Sequence, residues 1–133
     1  MILFKTELKQ SNIHGIGIFT KEFIPKGSKV WEFKDGFDLI IPKEKFNELS
    51  DGAKEQVLNY AYISKKTGSY VLCTDDSRFF NHSSKANTTC VVPDILNSDE
   101  DLECFAIKDI NIGEELTNNY EEFDADLSDL SLT

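Results

Sequence analysis

Three short segments of the sequence carry residue types that could do chemistry. The first is Gly15-Ile16-Gly17, whose two glycines would let the backbone approach a ligand closely. It is not the dinucleotide-binding fingerprint, because no third glycine and no helical pattern follow it. A plain tight turn explains the same residues if the segment is taken alone.

The second segment, 78–87, crowds polar side chains around two phenylalanines. Its Asn81, His82 and Ser83 supply donors and acceptors that need partners if they are buried. His82 could be a general base or a metal ligand, but the chain has only 2 His, so a multi-histidine metal site is not expected. No nucleophile elbow accompanies the serines. A hydrogen-bonded structural turn is the alternative.

The third segment, 113–120, has the sequence GEELTNNY and ends in a tyrosine at the edge of an acidic tail. Packing alone explains Tyr120 when this segment is taken by itself. Residues 121–133 contain several acids and no base, which is typical of a frayed tail. The functional alternative is a flap whose Phe123 covers a ligand.

The composition is that of one globular domain. The chain has 133 residues, 40% hydrophobic content and 10 Phe, enough for a single core. Its net charge of −10 leaves no basic face for phosphates, so direct nucleic-acid binding is not expected. An acidic surface attracts cationic partners such as lysine-rich segments, although the charge could serve solubility alone. No apolar run approaches the roughly 20 residues that span a membrane.

The chain start and the cysteines bear on the cellular compartment. The opening MILFKTELKQ is apolar and then charged, the reverse of a secretory signal, which favours a soluble intracellular protein. The sequence does not separate cytoplasm from nucleus, and it does not indicate the oligomeric state. Cys73, Cys90 and Cys104 form no close pair, which predicts three buried thiols in a reducing compartment. Without a C-x-x-C pair, no structural metal site is expected.

The local pattern favours short strands separated by glycine and asparagine turns, with two short helices. Strand candidates are 1–8, Val30–Phe33, Tyr70–Thr74, Thr88–Val92 and Leu102–Ile107. Pro42 suits the first position of a helix that continues to Leu49. A second helix follows Asp51, with one face formed by Ala53, Val57, Tyr60 and Ala61. Residues 93–101 are predicted to be a polar, acidic connection.

A weak internal repeat relates the two ends of the chain. The pattern Phe19-x4-Ile24-x2-Gly27-x2-Val30 recurs as Phe105-x4-Ile110-x2-Gly113-x2-Leu116. Each copy has an apolar strand, a glycine turn and a second apolar strand in the same order. The repeat predicts two similar β-turn-β units packed in one sheet system, with chance or a shared turn solution as the alternative.

Taken together and in this order, the three segments resemble the SET-domain family of protein lysine methyltransferases, especially its compact members without flanking zinc modules. The resemblance rests on Ser11-x3-Gly15-x-Gly17-x-Phe19, Arg78-Phe79-x-Asn81-His82-Ser83-x3-Asn87 and Gly113-Glu114-Glu115-Leu116-Thr117-x2-Tyr120. It implies a mainly β protein with short helices, a β-clip-like fold of small sheets with a C-terminal pseudoknot. We therefore expect a SET domain at 1–123 with a variable insert at 34–68, followed by an acidic tail at 124–133.

The resemblance also implies a cofactor, S-adenosylmethionine, and the residues that would hold it. The expected cofactor contacts are Ile16, Gly17, Tyr60, Asn81, His82, Tyr120 and Phe123. Tyr62 and Asn118 are expected to wall the channel of the substrate lysine. For Tyr60, packing in the core is the alternative, and Arg78 is interpreted as a structural ion pair and not as a catalytic group.

The implied reaction transfers a methyl group to a lysine side chain of another protein, for which a basic tail is a candidate. The lysine must be neutral to react, and an apolar channel disfavours its ammonium form although the free pKa is about 10.4. Tyr120 is expected to be catalytic through alignment and electrostatics. A phenol with a free pKa near 10 is a poor base at neutral pH.

The chain departs from the family pattern at several positions. Ser84 and Ala86 stand where the family often has Cys and Pro, Asn118 where Phe or Tyr is common, and Asn119 where Asp is common. These changes leave the degree of lysine methylation undefined. A SET fold that has lost catalysis and only recognises a protein is the alternative function. Retention of Tyr120 together with Asn81 and His82 argues against it.

Overall fold

A computed structural model describes residues 1–91 and 102–125 of the chain. The strands are β1 (Thr6–Gln10), β2 (Ile16–Thr20), β3 (Lys29–Glu32), β4 (Leu39–Ile41), β5 (Tyr62–Ile63), β6 (Tyr70–Leu72), β7 (Asn81–His82), β8 (Thr88–Val91), β9 (Glu103–Ala106) and β10 (Thr117–Asn118). The helices are α1 (Lys43–Asn47), α2 (Asp51–Tyr60) and two single 3-10 turns, Asp76–Phe79 and Tyr120–Glu122. Residues 92–101, which include the whole predicted acidic connection, and residues 126–133 of the predicted tail lie outside the described residues.

Within residues 1–91 and 102–125, the strands form four small sheets. β1 and β2 make an antiparallel pair, β3-β9-β8 and β4-β6-β5 are antiparallel three-stranded sheets, and β7 lies parallel to β10. This arrangement confirms the mainly β architecture with short helices. The strand candidates starting at residues 70, 88 and 102 correspond to β6, β8 and β9. β6 ends two residues and β9 one residue earlier than expected, and the predicted end of β8, Val92, lies outside the described residues.

The internal repeat is present in the structure, and its two copies pair with each other. Ile24 and Ile110 exchange backbone hydrogen bonds of 2.9 Å in both directions. The N–H of Gly27 donates to the carbonyl of Ala106 at 2.8 Å, and the N–H of Gly113 donates to that of Thr20, also at 2.8 Å. Equivalent bonds on both sides define an approximate two-fold axis between the glycine turns.

The hydrophobic core lies on this axis. The side chains of Ile18, Ile24, Val30, Ile110 and Leu116 have an exposed fraction of 0%. Two of these residues come from each copy of the repeat, so burial of each copy depends on the other. Apolar burial of this kind contributes about 25 cal/mol for each Å² removed from water, so the paired turns contribute to the stability of the fold.

The two α-helices connect β4 to β5. Pro42 is the N-cap residue of α1, whereas the sequence predicted it at the first position inside the helix. The Ser50 hydroxyl caps α2 by accepting the N–H of Ala53 at 3.2 Å, and Val57 is the buried residue of this helix. Helix α2 ends at Tyr60, and β5 begins two residues later at Tyr62, whose side chain packs against the core cluster.

The prediction of three free thiols is wrong for two of the cysteines. Cys90 on β8 and Cys104 on β9 form a disulfide, and only Cys73 is a free, buried thiol. The two bonded cysteines are direct partners across the antiparallel strands, with Cα atoms 4.0 Å apart. Strand register places them together, and the sequence spacing gave no signal of that register. No helix among the described residues is long and apolar enough to cross a membrane.

The repeat can be tested at its glycine turns. Gly113→Ala should lower the free energy of unfolding by about 1 kcal/mol, because a Cβ is disfavoured at its φ of 91°. A Cβ at this position meets nothing within 4 Å, so the effect belongs to the backbone alone. Urea unfolding followed by circular dichroism measures the change.

The control is Gly52→Ala in the first turn of α2, where a Cβ also meets nothing within 4 Å. This variant should be unchanged or more stable by up to about 1 kcal/mol, since alanine favours helix. Equal effects of the two substitutions would contradict the assigned turn.

Candidate functional site

The parallel pair β7–β10 brings the second and third segments side by side. Asn81 lies opposite Thr117, and His82 lies opposite Asn118. The pairing continues by one bond, because the N–H of Ser83 donates to the carbonyl of Asn118 at 2.9 Å. Residues far apart in the sequence thus become neighbours in a single short ladder.

Asn87 holds the other side of the C-terminal segment. Its Nδ2 donates to the carbonyl of Glu115 at 2.8 Å, and its Oδ1 accepts the N–H of Thr117 at 3.0 Å. Its own N–H donates to Thr117 Oγ1 at 3.1 Å. The buried amide of Asn87 therefore satisfies the backbone of 115–117 as a neighbouring strand would. The segment is hydrogen-bonded between β7 on one side and the start of β8 on the other.

Glu115 joins the glycine segment to the β7–β10 pair. Its carboxylate accepts the Asn81 Nδ2 at 2.8 Å and the Ser11 hydroxyl at 2.8 Å. A Cβ on Gly17 would lie 2.2 Å from Glu115 Oε2, so any larger residue at this position would displace the carboxylate. Glu115 is a site residue that the sequence interpretation missed. The signal available in the sequence was the apolar Leu116 beside it. Leu116 is buried, and alternation along a strand turns Glu115 to the opposite face.

Asn81 has one side-chain atom left for a ligand. Its Nδ2 faces three acceptors, Glu115 Oε2 at 2.8 Å, the carbonyl of His14 at 3.0 Å and the carbonyl of Ile16 at 3.3 Å, which fixes the orientation of the amide. Its Oδ1 accepts no hydrogen bond from the described residues and still touches solvent. Asn81 therefore organises the glycine segment with its nitrogen and presents an acceptor with its oxygen.

His82 and Tyr120 are coupled directly. The backbone N–H of Tyr120 donates to His82 Nδ1 at 3.1 Å, and the two rings are 5.3 Å apart. Because Nδ1 accepts this bond, a neutral His82 carries its proton on Nε2. The histidine thus positions the start of the last 3-10 turn, from which the Tyr120 ring projects.

A cavity of about 110 Å³ opens beside Tyr120. Its walls are mostly aromatic and apolar, and they include five of the sequence-predicted site residues, namely Tyr60, Tyr62, Asn118, Tyr120 and Phe123. The other four, Ile16, Gly17, Asn81 and His82, do not line the cavity. They form the junction between the glycine segment and the β7–β10 pair. Tyr120 belongs to both groups, through its backbone to His82 and through its ring to the cavity.

The rings around the cavity pack edge to face. Phe123 lies 5.1 Å from Tyr62 and 5.8 Å from Tyr120 between ring centres, and it is buried in the core cluster. Asn118 is also buried, and the Thr88 hydroxyl lies 2.6 Å from its Oδ1. These contacts fix the walls in place and leave little rotational freedom to the residues that form them.

Arg78 does not form the expected ion pair. No carboxylate among the residues at 1–91 and 102–125 lies within salt-bridge distance of it. Its guanidinium lies over the Tyr60 ring at 4.8 Å and over the Phe79 ring at 5.4 Å. The expectation of an ion pair is wrong here, and two aromatic faces hold the cation instead.

The environment of Tyr120 keeps its hydroxyl protonated. Burial, with a further contribution from the Asp124 carboxylate, raises the pKa of Tyr120 to about 12. The hydroxyl donates a hydrogen bond to the carbonyl of Phe80. Tyr120 is therefore suited to aligning and polarising a neighbour, and it is not suited to removing a proton at neutral pH. Within the described part of the chain, no cluster of three or more His, Cys, Asp or Glu is placed to hold a metal ion.

The fold and the junction of three segments define a SET domain. The family model of the SET domain matches residues 15–121, and the chain belongs to this family. A relative from Plasmodium falciparum, named putative histone-lysine N-methyltransferase 1, is 28% identical over 86% of this chain. Histone-lysine N-methyltransferase set9 of Emericella nidulans is 31% identical over 82% of this chain. The chain spans only 2% and 16% of the lengths of these two relatives.

A solved structure shares the fold. Polycomb Repressive Complex 2 of Chaetomium thermophilum, in an autoinhibited conformation bound to S-adenosylmethionine, superposes with a TM-score of 0.69 at 24% identity. The match covers 97% of this chain and 16% of that one. At this identity the likeness establishes the architecture alone. The placement of the candidate site residues comes from the geometry of this chain itself.

The approach of Gly17 to Glu115 generates a stability test. Gly17→Ala should lower the free energy of unfolding by about 1–3 kcal/mol, because the added Cβ displaces the carboxylate from Asn81 and Ser11. Gly15→Ala is the control, since a Cβ there meets nothing within 4 Å and only the φ of 45° opposes it. Thermal unfolding of both variants measures the difference. A Gly17 variant no less stable than the Gly15 variant would contradict the packing.

Tyr120 generates a test by pH. The native phenol holds its proton up to a pKa of about 12, whereas the unfolded chain releases it near pH 10. Its contribution to stability is therefore complete below pH 10 and is lost as the pH rises through 12. The difference in unfolding free energy between wild type and Tyr120→Phe should shrink over this range in urea titrations. A difference that stays constant would contradict the buried, neutral phenol.

Proposed function

We propose that this SET domain transfers a methyl group from S-adenosylmethionine to the side-chain amine of a lysine in another protein. One observation carries the proposal. Tyr120 connects the junction at Asn81 and His82, where Asn81 Oδ1 is an accessible acceptor, to the aromatic cavity. A displacement reaction requires its two reactants to be held in line. The cofactor at the junction and the lysine in the cavity would lie on either side of Tyr120.

The junction fits the methionine part of the cofactor. Asn81 Oδ1 is an accessible acceptor for an α-ammonium group, and Ile16 beside it keeps 52% of its side chain exposed for apolar contact. Gly17 and His82 contribute by holding the backbone around Asn81. When bound, S-adenosylmethionine would supply a methyl group on a positively charged sulfur. Binding of the whole cofactor by Ile16, Gly17, Tyr60, Asn81, His82, Tyr120 and Phe123 is part of the proposal.

The cavity fits the aliphatic part of a lysine. Tyr62, Phe123 and Tyr120 form three of its walls, and Asn118 contributes a polar patch. Such walls strip water from an alkyl amine and favour its neutral, nucleophilic form. The carbonyl of Phe80 and the hydroxyl of Tyr120, which are hydrogen-bonded to each other, supply oxygen acceptors for a polarised methyl group. The proton of the lysine leaves to water.

The substrate is proposed to be a lysine-bearing segment of a basic protein. The net charge of −10 favours association with a cationic partner, and the relatives named above are described as histone-lysine methyltransferases. Residues 34–68, which carry β4, α1, α2 and β5, are proposed to be the variable insert that governs substrate choice. The domain would end near Phe123, followed by the acidic tail.

Methyl transfer can be measured directly with radiolabelled S-adenosylmethionine and two probes, a core-histone mixture and poly-L-lysine. We expect the wild type to label at least one probe, with methyl-lysine identified by mass spectrometry. Tyr120→Phe should reduce turnover about 100-fold through misalignment while S-adenosylmethionine affinity changes only a few-fold. Tyr70→Phe is the matched control, because Tyr70 stacks on Phe46 outside the cavity and its loss should leave turnover unchanged.

Normal turnover in Tyr120→Phe would overturn the role of this tyrosine. A folded wild type that binds S-adenosylmethionine but labels neither probe, nor any protein on a lysate array, would favour a catalytically silent module that recognises proteins.

A further inference from the structure

The carboxylate of Glu115 is held by two neutral side chains. Its Oε2 accepts the Asn81 Nδ2 at 2.8 Å, and its Oε1 and Oε2 accept the Ser11 hydroxyl at 2.8 and 3.0 Å. No lysine, arginine or histidine within residues 1–91 and 102–125 forms an ion pair with it. Hydrogen bonds from an amide and a hydroxyl therefore satisfy this carboxylate in the described part of the chain.

The backbone fixes the place of this carboxylate. The N–H of Leu116 donates to the carbonyl of Ile18 at 2.9 Å, and the carbonyl of Glu115 accepts the Asn87 Nδ2 at 2.8 Å. The Glu115 carboxylate occupies the space that a side chain at Gly17 would fill, since a Cβ there would lie 2.2 Å from Oε2. The side chain is thus confined between the glycine segment and Asn81.

The same carboxylate holds the loop at 11–16. The Ser11 Oγ accepts the N–H of Ile13 at 2.9 Å and the N–H of His14 at 3.3 Å. Because this oxygen accepts from the loop, its single proton is available to Glu115. Ser11 therefore transmits the position of the carboxylate to the backbone of the loop.

The amide of Asn81 depends on Glu115 in two ways. The bond from Nδ2 to the carboxylate is the shortest of its three, at 2.8 Å, and a charged acceptor makes it the strongest. The other two acceptors, the carbonyls of His14 and Ile16 at 3.0 and 3.3 Å, lie on the loop that Ser11 ties to Glu115. Since a carboxylate only accepts, Asn81 must turn its nitrogen toward Glu115 and its Oδ1 away.

We propose that Glu115 is a positioning residue of the cofactor site, which acts through Asn81 by presenting its Oδ1 to the α-ammonium group of the ligand and by polarising it as an acceptor. An amide nitrogen that donates to a carboxylate leaves more electron density on the amide oxygen, because hydrogen bonds in a chain strengthen one another. The identification of the ligand as S-adenosylmethionine rests on the proposed function.

This role differs from a purely structural one in a measurable way. If Glu115 acts through Asn81, its loss weakens ligand binding only while the Asn81 amide is present. If Glu115 only stabilised the fold around the site, the effects of changing the two residues on affinity would add. A double-mutant cycle on affinity separates these two cases.

The experiment measures S-adenosylmethionine affinity by isothermal titration of the wild type, Glu115→Gln, Asn81→Ala and the double variant. Glu115→Gln keeps the shape of the side chain and removes its charge. It should weaken binding about five- to tenfold in the wild-type background. In the Asn81→Ala background the same substitution should weaken binding by less than about twofold. Circular dichroism sets the folded fraction at which the proteins are compared.

Glu114→Gln is the matched control for charge. It removes one carboxylate from the neighbouring residue, whose Oε1 accepts the Asn111 Nδ2 at 3.0 Å. Its affinity should equal that of the wild type. Ser11→Ala provides a second variant if Glu115→Gln does not fold, because it releases the same carboxylate from the loop side. It should weaken binding about two- to threefold, and only while Asn81 is present.

The failure of this inference is distinct from the failure of the proposed function. A wild type that binds S-adenosylmethionine, with Glu115→Gln of equal affinity, would overturn the role of Glu115 and leave the cofactor in place. Additive losses in the double variant would do the same. A folded wild type that binds no S-adenosylmethionine would overturn the proposed function, and the role of Glu115 with it.

Discussion

The parallel pairing of 81–82 with 117–118 is the constraint on which the rest of the site depends. A ladder of two residues is too short to be stable by itself. It persists because the Asn87 amide holds the opposite side of the same segment and because Glu115 ties the segment to the glycine turn. Any displacement of this segment would move Tyr120 relative to His82, and with it the wall of the cavity.

The internal repeat explains how the C-terminal segment reaches this position. The paired turns at Ile24 and Ile110 share one buried core, and the chain leaves the second turn through Leu116 directly into β10. The core shared by the two turns therefore sets the direction and register of the segment that continues into β10. A rigid core next to a short ladder allows precise placement without a long strand, which suits a small domain.

The sequence predicted those features of the fold and the site that depend on local pattern or on motif order. Helix α2 has the amphipathic face around Val57 that its spacing predicts, and strands β8 and β9 follow their runs of β-branched and apolar residues. The three segments meet as the family resemblance implied. Ser11 and Glu115 touch across a separation of 104 residues, a contact that periodicity alone could not reveal.

The features that escaped prediction all depend on tertiary register. Cys90 and Cys104 became partners because β8 and β9 pair with these two residues opposite each other. Arg78 lies on aromatic rings because the end of α2 and the 3-10 turn at 76–79 bring Tyr60 and Phe79 next to it. In each case the residue type was visible in the sequence, and the neighbour was decided by how separate elements pack.

If the junction at Asn81 and His82 is a cofactor site, isothermal titration of the purified protein should detect S-adenosylmethionine and its demethylated product. We expect both molecules to bind the wild type with micromolar-scale affinity and to bind Asn81→Ala more weakly, when the two proteins are compared at the same folded fraction. Absence of binding to the folded wild type, or equal affinity in Asn81→Ala, would show that the junction does not hold the cofactor.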